Sequence, residues 1–171
     1  IEIHVFDSLG GSAGAGFMCA EAARMAQAGK NLPEIIKRLE EIRLRVNIFF
    51  TPENLRYLQM SGRVSNVGAL IGSVLNVKPI IGLEDGLLHP VERIRTRAKA
   101  LSRILELMRE KVGDAPVNLA VVHAIAPDEA NELMERAQGM FNIKESFVTD
   151  LATSLAVHFG PGALAFVAYV V

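Results

Sequence analysis

The feature that most constrains the fold is an alternation of short apolar runs and longer amphipathic stretches along the chain. The runs "NIFFT" and "VNLAVVHAI" have the length and the β-branched residues of strands. The stretches Pro33–Val46, Thr96–Val112 and Asp128–Phe141 repeat apolar residues at helical spacing. Alternation of this kind indicates an α/β or an α+β protein.

Other segments complete this outline. Ile1–Phe6 alternates as a strand does, and Lys78–Arg95 predicts a hairpin that turns at "EDG". Ser65–Asn76 predicts a short buried helix. The last segment, from Ile143, predicts two strands around a Gly-Pro-Gly, which places His158 in a strand. A join near Val46–Thr51 separates a helix-rich front from a strand-rich back.

Composition excludes several classes of protein. The 171 residues suit one domain, or one domain plus part of another, and 50% hydrophobic residues suffice for a core. A net charge of −1 gives no field that would attract nucleic acid or anionic membrane. The single cysteine, Cys19, excludes an intrachain disulfide, and no apolar run approaches the roughly 20 residues that span a bilayer. We therefore expect a cytoplasmic protein without integral membrane association.

A glycine-rich loop, "GGSAGAG", follows the first predicted strand and opens a predicted helix. Free backbone N–H groups and the helix dipole at such a position favour an anion. The loop lacks the Gly-Lys-Ser/Thr ending of a P-loop and does not match G-x-G-x-x-G. A tight turn with close helix packing is therefore the more ordinary interpretation.

Arginines form a second candidate feature. Arg93, Arg95 and Arg97 alternate at period two where the hairpin ends, a spacing that projects them to one side of a strand. Such a row grips a phosphate or an acidic partner, or is simply a solvated face. Arg63 follows a flexible glycine, where it either bridges elements of the fold or faces a ligand.

Two kinds of site are not predicted. No set of His, Cys, Asp and Glu has the spacing of metal ligands, and no Gly-x-Ser-x-Gly elbow is present. We therefore expect neither a structural zinc site nor a serine hydrolase, and we assign no catalytic residue.

His158 stands beside an unusual turn in the apolar end of the chain. Gly160 and Gly162 leave the nearby backbone uncovered, and Pro161 stiffens the turn. An imidazole donates an N–H to an anionic oxygen, so this set suits a carboxylate whose apolar tail enters the core. Alone, the same pattern also fits a buried histidine that bonds to a carbonyl beside a sharp bend.

Several segments together resemble the DegV family of bacterial fatty-acid-binding proteins. They are "VFDS" with its Ser/Gly turn, "NLRYLQMSGRVSNVGALIGSVLNVKPII", "DGLLHPVERIRTRAKAL", "VVHA" and "HFGPGALA". The order and spacing of these segments match over essentially all 171 residues. The combination is specific, although no single segment is.

The resemblance implies a two-domain α/β fold that holds one long acyl chain between the domains. Residues 1–46 are then the remainder of an N-terminal parallel α/β domain, and residues 47–171 are a C-terminal α/β domain with a mainly antiparallel sheet. Family members carry a Thr/Asp/Ser motif and a Ser-Gly-Thr turn before the segment that matches Ile1. This chain has neither motif, and we expect a preceding segment to complete the pocket.

The resemblance also implies roles for particular residues. His158 matches the histidine that contacts the carboxylate, with Gly160 and Gly162 beside it, and Arg63 and Arg95 match arginines near the domain junction or a partner surface. Each buried CH₂ contributes about 0.8 kcal/mol, so apolar residues are expected to line the acyl chain. The candidates for that wall are Val67, Leu70, Ile71, Val74, Leu75 and Phe166.

The implied function is that of a carrier without chemistry or a cofactor of its own. It presents the carboxylate of a long-chain fatty acid to a separate ATP-dependent fatty acid kinase subunit, which makes the acyl phosphate. Two alternatives remain open at this stage. One is an enzyme that acts on a small phosphorylated ligand through the glycine loop and Arg95, and the other is a regulatory module that docks a protein through the arginine row.

Overall fold

A computed structural model describes residues 3–62 and 77–171. The described elements, in chain order, are α1 (Ala13–Gln27), α2 (Leu32–Arg43), β1 (Asn47–Thr51), α3 (Arg56–Met60), β2 (Lys78–Glu84), β3 (Leu87–Ile94), α4 (Arg97–Val112), β4 (Pro116–His123), α5 (Pro127–Gln138), β5 (Asn142–Asp150), α6 (Thr153–Phe159) and β6 (Leu164–Val170). The buried helix predicted for Ser65–Asn76 lies outside the described residues.

Within the described residues, six strands form one mixed sheet in the order β3-β2-β1-β6-β4-β5. Strands β4 and β5 run parallel, and every other neighbouring pair in this order is antiparallel. The predicted hairpin is confirmed as β2 and β3. Asp85 and Gly86 have φ angles of 50° and 76°, the left-handed conformation that a two-residue hairpin turn requires.

Helices cover both faces of this sheet. On one face, Leu105 and Met108 of α4 and Leu133 of α5 pack against Leu119 and Phe166 of the sheet. On the other face, Phe17 of α1 and Ile42 of α2 meet Val167 and Tyr169 of β6. The candidate site lies on this second face, beside the residues that end the strands.

Local signals explain where the helices begin and end. The Asn31 side chain accepts a hydrogen bond from the Glu34 N–H at 3.0 Å, and the Glu34 carboxylate accepts one from the Asn31 N–H at 3.0 Å, which forms a capping box at α2. Thr96 caps α4 by accepting from the Lys99 N–H at 3.4 Å. Gly29, with φ 76°, follows the end of α1, a position where glycine is favoured.

The first predicted strand is wrong in its described part. Residues 3–6 have no regular secondary structure, and Ile3 and Val5 are 83% and 87% exposed. An alternating sequence forms a stable strand only when other strands or a helix pack with it, and these residues do not join the sheet. The domain boundary expected after residue 46 stays a prediction, and α1, which precedes it, packs on the same sheet as the later elements.

Candidate functional site

An apolar cavity of about 460 Å³ lies on the face of the sheet that α1 and α2 cover. Ile48, Val122 and Val167 line it from the sheet. The lining also includes residues of the loop 7–12, the end of the β2–β3 hairpin and α6, together with further residues of β1, β6 and the segments that flank α6. Because its walls are mainly apolar, the cavity suits an aliphatic chain, whose burial contributes about 0.8 kcal/mol per CH₂.

The glycine-rich loop forms one wall of this cavity. Leu9 and Ser12 have φ angles of 49° and 48°, a conformation that non-glycine residues seldom adopt. The Leu9 N–H donates to the Asp7 carboxylate at 2.9 Å and stabilises the bend. A Cβ at Gly11 would lie 2.8 Å from Leu155 Cδ1, so the glycine allows the loop to approach α6. The loop therefore packs closely as expected and, in addition, borders the cavity.

His158 lies in a helix and not in the predicted strand, which is a correction to the sequence analysis. It belongs to α6, which starts after Ala152 and ends at Gly160. Residues 151–163 connect the edge strand β5 to β6, which pairs with the far side of β4, and no strand of the described residues pairs with this connection. Gly160, with φ 76°, then ends the helix in the way that glycine commonly does.

The side chain of His158 is half-buried and lines the cavity. Its Nδ1 is inaccessible to solvent and has no hydrogen-bond partner among the residues that the structure describes. Nδ1 of His89 and Nδ1 of His123 are unpaired in the same way, so what distinguishes His158 is the position of its residue in the lining of an apolar cavity. The described elements thus bring together an alkyl-sized space and His158, whose imidazole can donate to a carboxylate; Asp7 and Ser12 also line this space.

The turn after α6 is fixed by close packing. A Cβ on Gly160 would overlap the ring of Tyr57, and one on Gly162 would lie 2.8 Å from the Cβ of Glu53. The N–H groups of the two glycines donate to Ala156 O at 2.8 Å and Ala124 O at 2.7 Å. The faces expected to admit a head group are therefore covered by Tyr57 and Glu53, and neither glycine lines the cavity. Their contact with a carboxylate stays a prediction.

Arg97 also holds this turn. Its Nη2 donates to Gly162 O at 2.5 Å and its Nη1 to Thr51 O at 3.2 Å. Its Nε and Nη2 each donate to the Glu129 carboxylate at 3.2 Å. This role was not predicted, because in the sequence Arg97 falls in a period-two row of arginines. The signal that could have revealed this is Thr96. A helix cap at position 96 ends the strand, so Arg97 no longer follows the strand periodicity.

The other two arginines of that row are separate from Arg97. Arg93 belongs to β3 and Arg95 lies between β3 and α4, and both side chains are exposed. The side chain of Arg97 is only 15% exposed. The row is therefore not one surface, and Arg95 is accessible to a partner.

Most of the expected acyl-chain wall lies outside the described residues. Arg63 lies outside the described residues, and so do the wall candidates Val67, Leu70, Ile71, Val74 and Leu75. The structure places Phe166 in the core beneath α4, with its ring 5.7 Å from that of Phe141. Because side chains alternate along a strand, its neighbours Ala165 and Val167 line the cavity instead.

A second cavity of about 500 Å³ lies on the other side of the glycine loop. Leu9, Ile48 and Leu83 border both cavities and so separate them. Arg43 and Lys111 line the second cavity together with Glu84 and Asp85, among other residues. Both signs of charge are present in the second cavity, and much of its lining is polar. The first cavity is therefore better suited to an alkyl chain.

Two kinds of feature are absent from residues 3–62 and 77–171. No group of three or more His, Cys, Asp and Glu side chains is placed to hold a metal ion. No helix in these ranges is sufficiently long and apolar to cross a membrane.

Comparison with known proteins identifies the family. A family model described as an uncharacterised protein of the DegV family matches residues 1–171. The chain belongs to the DegV family. Protein DegV of Bacillus subtilis (strain 168) is 37% identical over 166 residues, which cover 96% of this chain and 59% of that protein.

Solved DegV structures confirm the fold. A DegV family protein from Thermus thermophilus, described by its fatty acid binding, superposes with a TM-score of 0.91 at 28% identity, over 98% of this chain and 61% of its own. DegV from Bacillus subtilis, described as a fatty acid binding protein, has a TM-score of 0.85 at 34% identity, over 98% and 60%. The chain thus spans about 60% of the length of these DegV relatives.

Proposed function

We propose that this chain binds one long-chain fatty acid, with the alkyl tail in the 460 Å³ cavity and the carboxylate at His158. The observation that carries the proposal is the position of His158, an imidazole in the lining of an otherwise mainly apolar cavity. The fatty-acid-binding descriptions of DegV relatives support the same class of ligand. No enzymatic step is assigned to the chain itself.

The two ends of the ligand make different contributions to binding. Burial of the tail supplies most of the affinity, at about 0.8 kcal/mol per CH₂, and does not depend on orientation. A hydrogen bond between the imidazole and the carboxylate is charge-assisted and fixes which end lies at α6. Gly160 and Gly162 contribute by ending α6 directly after His158, beneath Tyr57 and beside Glu53.

Binding of oleate and methyl oleate to the purified chain tests this proposal. The wild-type chain is expected to prefer oleate, because the ester carries no charge for His158 to bind. His158→Ala is expected to lose about tenfold in oleate affinity and little in methyl oleate affinity. His4→Ala, which removes an exposed histidine, is the matched control and should behave as wild type. Equal affinity of the wild-type chain for the acid and the ester would reject carboxylate recognition.

The bound acid is proposed to be the substrate of a separate kinase. In this scheme the chain presents the carboxylate, an ATP-dependent fatty acid kinase subunit phosphorylates it, and the chain carries away the acyl phosphate. Use of ATP implies a cytoplasmic location. The exposed side chain of Arg95 supports its assignment to the partner surface, and Arg63 is proposed for the same surface or the domain junction.

Acyl phosphate formation by a purified fatty acid kinase, with ATP and oleate-loaded chain, tests the presentation step. Product is expected only when kinase and loaded chain are both present. Arg95→Ala should lower the rate more than it lowers oleate affinity, whereas Arg45→Ala, at another exposed arginine, should change neither. A rate that does not depend on the chain would reject the presentation step and leave the binding proposal intact.

A further inference from the structure

We propose that Arg97 is a positioning residue for His158. By fixing the Gly160–Gly162 turn, it sets the orientation in which the imidazole meets the cavity. The part of this inference that concerns a ligand carboxylate rests on the proposed function. The effect on His158 itself does not require a ligand.

Arg97 joins three elements through one guanidinium. It bonds to the carbonyl of Thr51 at the end of β1 and to that of Gly162 before β6, and it forms a bidentate pair with Glu129 on α5. Its Nη1 also lies 3.9 Å from the Glu53 carboxylate. Because the guanidinium is planar and carries five N–H donors, this arrangement fixes the relative positions of its partners.

The orientation of His158 depends on how α6 is held. Its Nδ1 has no hydrogen-bond partner in the described part of the chain, so no such bond from this atom fixes the ring. Helix α6 has only seven residues and none is fully buried, so its own backbone bonds do not make it stable. Its position therefore depends on tertiary contacts.

Several of those contacts lie just after His158. The rings of Phe159 and Phe50 lie 4.6 Å apart, and Tyr57 covers Gly160. The next anchor along the chain is Gly162, whose N–H donates to Ala124 O and whose carbonyl accepts from Arg97. Loss of the hydrogen bond from Arg97 to the Gly162 carbonyl loosens the turn that follows α6. The end of α6 can then shift relative to the cavity.

Arg97→Lys tests this without removing the positive charge. Lysine keeps one ammonium group and cannot bridge Thr51, Gly162 and Glu129 together. Arg103→Lys is the matched control, since Arg103 lies on the same helix and binds three carboxylates, those of Glu92, Glu106 and Glu110, away from the turn. Thermal unfolding by circular dichroism verifies that both variants fold.

The first measurement is NMR of the ligand-free chain. In Arg97→Lys the Gly162 amide is expected to exchange about tenfold faster than in wild type. The ring resonances of His158 should shift, whereas those of His4 and His89 should not. Arg103→Lys should leave all of these signals in place. Identical Gly162 exchange and His158 signals in the two variants would overturn the inference.

The second measurement is the ratio of oleate to methyl oleate affinity. Arg97→Lys is expected to reduce this ratio about tenfold by lowering oleate affinity, because a displaced imidazole loses its bond to the carboxylate. A purely structural weakening lowers both affinities alike, and that result would overturn the ligand part of the inference. A wild-type chain that does not distinguish the two probes would reject the proposed function, while the NMR result still decides whether Arg97 positions His158.

Discussion

The ring of Tyr57 lies against Gly160 so closely that a Cβ at position 160 would overlap it. This contact joins α3 to the end of α6, directly after the histidine that lines the apolar cavity. Gly160 also has a φ of 76°, so both the backbone conformation and the available space require glycine.

Gly160→Ala is therefore expected to destabilise the chain more than Gly29→Ala does. Gly29 has the same φ of 76°, but a Cβ at position 29 would meet no atom of the described residues within 4 Å. Its substitution therefore costs only the left-handed conformation, about 1–2 kcal/mol. Gly160→Ala adds the clash with Tyr57 to the same backbone cost. Chemical denaturation measures both changes, and equal losses of stability would contradict the close packing of Tyr57 on Gly160.

The strands and long helices were predictable because their signals are local. The hairpin followed from "EDG" between two apolar runs, and α4 from its apolar spacing. Ile3 and Val5 carry an equally clear strand pattern, but pairing with another strand is a tertiary event that the pattern does not specify. Prediction thus succeeded where a segment contains its own stop and start signals.

The candidate site was predictable only in part. Its histidine was found from the Gly-Pro-Gly that follows it, together with the family resemblance. The helical state of α6 was missed because a short apolar run has no reliable periodicity. Tyr57, Glu53 and Arg97 were missed because they reach the turn from positions distant in the sequence.

Stability should depend on pH through the capping box of α2. The N–H of Asn31 donates to the Glu34 carboxylate and, with the Lys30 ammonium, lowers the pKa of Glu34. A lowered pKa stabilises the fold above the ordinary glutamate value of 4.5, and this contribution is lost as the pH falls through the folded-state pKa.

Glu34→Ala should consequently lower the melting temperature at pH 7 and have little effect below the lowered pKa. Glu40→Ala, on an exposed part of the same helix, is the matched control. Melting curves between pH 2 and pH 7, a range chosen to bracket the usual carboxyl titration at roughly 4, give the comparison. A Glu34→Ala effect of the same size throughout this range would rule out the titration of the capping box.

The buried pair of Asn118 and Tyr169 makes a further prediction. The Asn118 side-chain amide donates to the Tyr169 hydroxyl at 3.0 Å, and burial raises the pKa of that hydroxyl. Tyr169→Phe leaves the amide without this partner in a buried position, which costs about 1–3 kcal/mol. Tyr57→Phe is the control, since it removes the phenolic hydroxyl of the other tyrosine and keeps the ring over Gly160. Equal unfolding free energies for the two variants would contradict the importance of the buried pair.

Filling the cavity should oppose binding of a long acyl chain. Ala165→Leu adds three carbons to a residue that lines the cavity, and we expect it to lower oleate affinity about tenfold without lowering the melting temperature. Ala98→Leu, on the exposed face of α4, is the control. Titration calorimetry with oleate measures the difference, and unaltered affinity in Ala165→Leu would show that the ligand lies elsewhere.

The most direct test of the central claim is a crystal structure of the chain with a fatty acid that carries bromine at its methyl end. The anomalous signal of bromine then locates the tail, and the density locates the carboxylate. The account predicts bromine within the cavity bordered by Ile48, Val122 and Val167, and a carboxylate oxygen within hydrogen-bond distance of His158. A ligand bound outside this cavity, or one whose carboxylate lies away from His158, would contradict it.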